Sequence, residues 1–253
     1  GAAGDIITTG TDASGDTARD IVLGDEGSAT FDSQGRIDQI QSTNTDTGGD
    51  DHITTGGGPD IVLAGAAQDT VLTESGDDIV LGDSGEATFN SDLDTDVLTE
   101  QIGILRTISS LTAAIGDNDT ITTDEGSDIV LGGAKDDAIT AYLATEVESD
   151  TILGDSGSIT FEVDGSIKTI ATTDSGIGGS DTIHTQNGAD IVIGGAAGDI
   201  ITTGTDESGD TARDIVLGDE GSATFDSEAR LDVITSTNTD TGGDDHITTG
   251  GGP

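Results

Sequence analysis

Residues 51–81 read DHITTGGGP DIVLAGAAQ DTVLTESGD DIVL, so that Asp51, Asp60, Asp69 and Asp78 recur every nine residues and each opens a short β-rich triplet. Nine residues hold a strand of roughly three to four residues and a tight turn of about five or six. Two such units make one flattened coil, with successive coils about 4.8 Å apart, the spacing of hydrogen-bonded strands. Alternation along each strand turns the second residue after the Asp inward: Ile53, Val62, Val71, Val80, Phe89 and Leu98. The expected fold is all-β, a parallel β-solenoid (β-roll) of two nine-residue strand-turn units per coil, with short insertions.

The period continues after the Asp is lost. Ala87 and Asp96 complete a first six-strand module; Asp119, Asp128, Asp137, Asp150, Ile159 and Lys168 form the next, and Asp181, Asp190, Asp199, Asp214, Ala223 and Asp232 the third. All four Phe, at 31, 89, 161 and 225, fall two residues after the missing Asp of strand five. Three insertions account for unequal module lengths: one at 99–118, one between Asp137 and Asp150, and one between Asp199 and Asp214. Residues 1–59 recur at 195–253 with six differences, so a 194-residue repeat overlies the nonapeptide. The chain is expected to be one solenoid over 1–253, with modules 1–50 (partial), 51–118, 119–180, 181–244 and 245–253 (partial), continuing in a longer parent on both sides.

Fifty-one acidic residues face seven basic ones, for a net charge of −44, and the apolar fraction is 31%. Such a chain repels itself and stays expanded unless a ligand offsets the charge. Its field repels nucleic acid and anionic lipid, no apolar run is long enough for membrane insertion, and the absence of Cys rules out thiolate metal sites. Divalent cations are the natural counterpart.

The turns GGAKDD (132–137), GGAAGD (194–199), TESGDD (73–78) and TQNGAD (185–190) supply the chemistry. Gly lets carbonyls converge in a tight loop, and each Asp adds a carboxylate. Hard oxygen donors suit calcium better than transition metals. Asp also serves turns simply by bonding nearby backbone, but that leaves the net charge unexplained.

These turns resemble the RTX (repeats-in-toxin) family, whose nonapeptide G-G-x-G-x-D-x-U-x forms a parallel β-roll with calcium ions between successive turns. The first Gly is often replaced here, by Thr in TGGGPD (55–60) and by Ala in AGAAQD (64–69). The resemblance implies multiple calcium ions shared by strands two apart, pairing Asp51 with Asp69, Asp60 with Asp78, Asp119 with Asp137, Asp128 with Asp150, Asp181 with Asp199 and Asp190 with Asp214. Asp5, Asp20 and Asp245 extend the same series. In strand five, Asp25, Asp83, Asp155 and Asp219 of the GD[SE]G turns stand in as substitute carboxylates. Strand six lacks turn glycines, so calcium clusters are expected to be interrupted once per module.

Strands two and four expose Ile61, Leu63, Ile79, Leu81, Ile129, Leu131, Ile191, Ile193, Ile215 and Leu217 outward. An apolar stripe of that length calls for a cover, either a neighbouring solenoid (self-association) or an insertion. Ile104, Ile108, Leu111 and Ile115 lie at helical spacing and suggest a covering amphipathic helix. The other face shows Thr54, Thr70, Thr88, Thr120, Thr122, Thr140, Thr160, Thr182 and Thr202, a flat hydroxyl array; His52, His184 and His246 lie among these outward positions and read as solvated. The expected role is a non-enzymatic, calcium-stabilised repeat region of an extracellular stalk, adhesin or filament, secreted or on the cell surface. The alternatives are an ice- or glycan-binding module using the Thr face, and the carrier region of a secreted protease or lipase.

Overall fold

A computed structural model describes residues 1–11, 15–90, 104–142, 147–204, 211–237 and 241–250. Its described residues form strands and turns without helix, in three sheets stacked as layers. The first sheet is parallel and holds β1 (Ile6–Thr8), β5 (His52–Thr54), β7 (Thr70–Leu72), β11 (Thr120–Thr122), β13 (Ala138–Thr140), β17 (Thr182–His184), β19 (Ile200–Thr202) and β23 (His246–Thr248). The second, also parallel, holds β2 (Ile21–Leu23), β6 (Ile61–Leu63), β8 (Ile79–Leu81), β12 (Ile129–Gly133), β14 (Thr151–Asp155), β18 (Ile191–Gly195) and β20 (Ile215–Asp219). Together these two sheets are the expected β-roll. Between them the inward residues Ile53, Val62, Val71, Val80, Ile121, Val130, Ile139 and Ile152 are wholly buried.

Strands five and six do not continue the roll. They form a third, antiparallel sheet of β3 (Gly27–Phe31), β4 (Ile37–Ser42), β9 (Gly85–Asn90), β10 (Ile104–Ser110), β15 (Gly157–Phe161), β16 (Ile167–Thr172), β21 (Gly221–Phe225) and β22 (Leu231–Ser236). Only three residues separate β2 from β3 (24–26) or β8 from β9 (82–84), half the six-residue turn (64–69) that carries the roll from β6 to β7, so the chain doubles back. The Gly that follows permits that fold: a Cβ on Gly85 or Gly157 would run into Leu81 or Leu153. A hairpin results, with a β-bulge in each pair at or beside the Phe position.

This third sheet is the cover that the apolar stripe requires. Leu63, Leu81, Leu131, Leu153 and Ile193 are buried against Ile40, Ala87, Ile108, Ile159 and Ile170, while Ile61, Ile79, Ile129, Ile191, Ile215 and Leu217 belong to or pack on the same cluster. The stripe is therefore interior and is no surface for self-association. The second sheet is buried on both faces, which is why its strands read as unbroken IVL runs, whereas the first sheet alternates as HIT, TIT and TIH.

Two further expectations are corrected. Ile104 and Ile108 lie in β10, not in a helix, because β-branched residues prefer a pleated half-buried surface. From Ile108 to Asp119 the chain is as long as from Ile170 to Asp181, so the extra residues precede β10 instead of filling 99–118. The strand expected at Asp96, with Leu98 inward, lies outside the described residues.

Candidate metal centre

Every sheet-forming triplet of the roll is entered through an Asp, and the parallel register stacks these residues into two files. On the first edge, where the chain passes from the second sheet to the first, each Asp N–H donates to Oδ1 of the Asp one coil on. Asp5 donates to Asp51 at 2.7 Å, Asp51 to Asp69 at 2.7 Å, Asp69 to Asp119 at 2.7 Å and Asp119 to Asp137 at 2.8 Å. The file continues from Asp137 to Asp181, Asp199 and Asp245 at 2.8, 2.8 and 3.0 Å. On the second edge Asp20, Asp60, Asp78, Asp128, Asp150, Asp190 and Asp214 are joined in the same way, at 2.7 to 3.2 Å.

All six expected pairs are thus neighbours, and the files also run on between modules. Among the described residues the Asp files themselves run unbroken from module to module, because strands five and six leave the roll before they can break its register.

The second carboxylate oxygens hold the chemistry. On the first edge Oδ2 of Asp51, Asp69, Asp119, Asp137, Asp181 and Asp199 is buried with no hydrogen-bond partner. Loss of water, reinforced by neighbouring carboxylates, pushes the Asp137 carboxyl up to about 11, Asp69 and Asp119 to about 9, and Asp181 and Asp199 to about 8. A file of buried acids so close together cannot be fully ionised without a cation.

Glycines let these oxygens come close to main-chain carbonyls. A Cβ on Gly82 would lie within 2.5 Å of the Gly132 carbonyl oxygen and closer still to Asp119 Oδ2. The same arrangement of coil carbonyl and Asp oxygen recurs at Gly24, Gly132, Gly154 and Gly194. Carbonyl and carboxylate oxygens, the hard donors that calcium takes, therefore converge at each of these glycines. Among the described residues no three acidic or imidazole side chains converge, so an ion here would draw on carboxylates and main-chain carbonyls together.

Asp25, Asp83 and Asp155 also come to this edge, but as anchors of the hairpin exits. Asp155 accepts the Gly179 N–H at Oδ1 (2.9 Å) and the Ala196 N–H at Oδ2 (2.5 Å); Asp25 accepts those of Gly49 and Ala66 at 3.3 and 2.7 Å. Asp83 accepts the Ala134 N–H at 2.5 Å, and Asp219 lies beside Gly242. Asp25, Asp83 and Asp155 thus bind turn backbone, while Oδ1 of Asp83 and of Asp219 is buried without a partner, as in the first-edge file.

A family profile for the RTX calcium-binding nonapeptide repeat matches four times, at residues 45–80, 54–89, 116–141 and 175–207. The matched segments are mainly the coils of the roll and leave out most of the hairpin residues. No curated protein and no solved structure matches. The chain carries RTX calcium-binding nonapeptide repeats, folded as a β-roll whose multiple copies bind calcium.

Proposed function

We propose that this chain is a structural segment of an extracellular stalk, adhesin or filament, made rigid by calcium. The observation that carries the reading is the uninterrupted first-edge file of buried carboxylate oxygens without partners. In chelator that file resists folding; at the millimolar calcium outside cells it is neutralised, so stiffness is coupled to export. From β1 to β19 the first sheet advances six strand spacings, so one 194-residue repeat extends the roll by about 29 Å. Lateral assembly, where it occurs, uses a surface other than the covered apolar stripe. Small-angle scattering tests this reading: with millimolar calcium the chain should scatter as a short rigid rod. A flexible coil under those conditions would rule out a load-bearing role.

Register supports a second reading, in which the roll binds ice or a glycan. Thr8, Thr54, Thr122, Thr140, Thr202 and Thr248 fall in one cross-strand file of the first sheet, broken by Leu72 and His184. Thr88 and Thr160 belong instead to the third sheet, beside Thr107, Thr169 and Thr224. Replacing Thr122 by Tyr would abolish binding on that face while leaving calcium uptake intact; unchanged ligand binding would dismiss it.

A further inference from the structure

Each hairpin leaves and re-enters the roll through a neck on the first edge. It leaves through Asp25, Asp83 or Asp155 and returns through the segment that ends in Asp51, Asp119 or Asp181. Gly48, Gly116 and Gly178 let the return lie directly against the exit carboxylate, where a Cβ would collide with it. Asp25 Oδ1 accepts the Gly49 N–H and Asp155 Oδ1 the Gly179 N–H, which closes the neck.

The other oxygen reaches past the hairpin. Oδ2 of Asp25, Asp83 and Asp155 accepts the N–H of Ala66, Ala134 and Ala196, in the turn one coil on that ends in Asp69, Asp137 or Asp199. Asp155 therefore ties together the two turns that deliver Asp181 and Asp199, and Asp25 the two that deliver Asp51 and Asp69, each a pair of successive members of the file. The turn held in this way is strained. The residue after each bonded Ala is Ala67, Lys135 or Ala197, with φ of 84, 77 and 68. A side chain is disfavoured in this left-handed region, so the turn opens unless something holds it. Both oxygens of Asp155 are engaged by N–H donors and the side chain is buried, so its influence on a metal passes through the backbone it holds.

We infer that Asp25, Asp83 and Asp155 are positioning residues for the first-edge calcium sites, each fixing a strained metal-bearing turn to the neck of a hairpin and so coupling metal binding to docking of the third sheet. The inference rests on the calcium-binding reading and deepens it. Such coupling is reciprocal: the docked sheet raises calcium affinity, and bound calcium holds the sheet in place.

Stepwise calcium loading of the whole chain in native mass spectrometry tests it, on Asp155→Ala and on the same variant carrying Ala197→Gly. Asp155→Ala should reach the wild-type number of ions at saturation, but its last ions should need about 5- to 30-fold more calcium, the penalty of one unheld left-handed residue. Its binding of a hydrophobic dye, which reports the undocked sheet, should disappear over the same calcium range. Adding Ala197→Gly should restore wild-type loading, because Gly takes that φ without a clamp. Fewer ions at saturation in Asp155→Ala would overturn the inference by making the carboxylate a ligand. So would loading that Ala197→Gly fails to restore, or a urea midpoint lowered equally in calcium and in chelator with loading unchanged, which would leave Asp155 a structural anchor. Should Asp155→Ala fail to fold, Asp25→Ala with Ala67→Gly makes the same comparison at a less buried neck. A wild-type chain that retains no calcium would instead sink the reading on which the inference rests.

Discussion

Replacing Gly82 by Ala adds one methyl group against two of the oxygens offered to the metal. Gly82 has no left-handed φ, so the substitution brings no dihedral penalty, and its whole effect is occupancy. The new Cβ falls within 2.5 Å of the Gly132 carbonyl oxygen and against Asp119 Oδ2. The carbonyl belongs to the next coil, and the Gly82 N–H is itself tied to the Leu131 carbonyl at 2.9 Å, so neither backbone yields without breaking the ladder. Overpacking costs about 1 to 3 kcal/mol, and obstruction by backbone places this case at about 3 kcal/mol. A control is built into the chain. Gly35 has φ +81 and nothing within 4 Å of its missing Cβ, so Gly35→Ala carries only the left-handed penalty of about 1 kcal/mol. Ala229, its counterpart in the long repeat, already adopts φ 57. Urea unfolding followed by circular dichroism, in calcium and in chelator, reads both variants. Gly82→Ala should lose more stability in calcium than in chelator and should bind fewer ions. Equal, small shifts for Gly82→Ala and Gly35→Ala would refute the reasoning.

Three other outcomes follow from the same structure. In chelator, the buried carboxyls of Asp69 and Asp119 hold protons between their ordinary value of 3.8 and about 9, where the unfolded chain has released them. Metal-free stability is therefore full below that window and falls as pH rises through it, so the chelated urea midpoint should be higher at pH 5 than at pH 8; the reverse order would show that these groups are not buried. Leu153→Ala, which empties a wholly buried site between the second and third sheets, should cost about 2 to 5 kcal/mol in thermal or urea unfolding. Val163→Ala, at an exposed hairpin tip, should stay within about 0.5 kcal/mol, and matching effects at the two sites would mean the third sheet does not cover the stripe. Ile108→Lys, at a position with no exposure, should release the third sheet and make the chain bind a hydrophobic dye; a variant that binds none would contradict the placement of β10.

The roll was legible because its signal is redundant. Each coil repeats an Asp, a glycine-bearing turn and an inward Val or Ile, and the stacking of Asp51 on Asp69 or Asp119 on Asp137 follows from period alone. The third sheet was not read, though its marks are present: GEATFN and IKTIAT alternate as half-buried strands, and DSQG and EVDG are turn signals between paired strands. Counting in nines carried those segments into the roll, since Ala87 and Lys168 fall on the period by length while their pairing is antiparallel. The apolar stripe did announce a cover, but not which segment supplied it.

The central claim, that cations neutralise a file of buried carboxylates and thereby fold the roll, is tested most directly by a calcium titration of the purified chain. Far-ultraviolet circular dichroism and hydrodynamic radius are followed together, with magnesium as control. The account predicts calcium-specific compaction with a gain of β signal, magnesium being too small and too strongly hydrated for these carbonyl-lined spaces. A compact β-fold already complete in excess chelator at neutral pH, and unmoved by calcium, would contradict it.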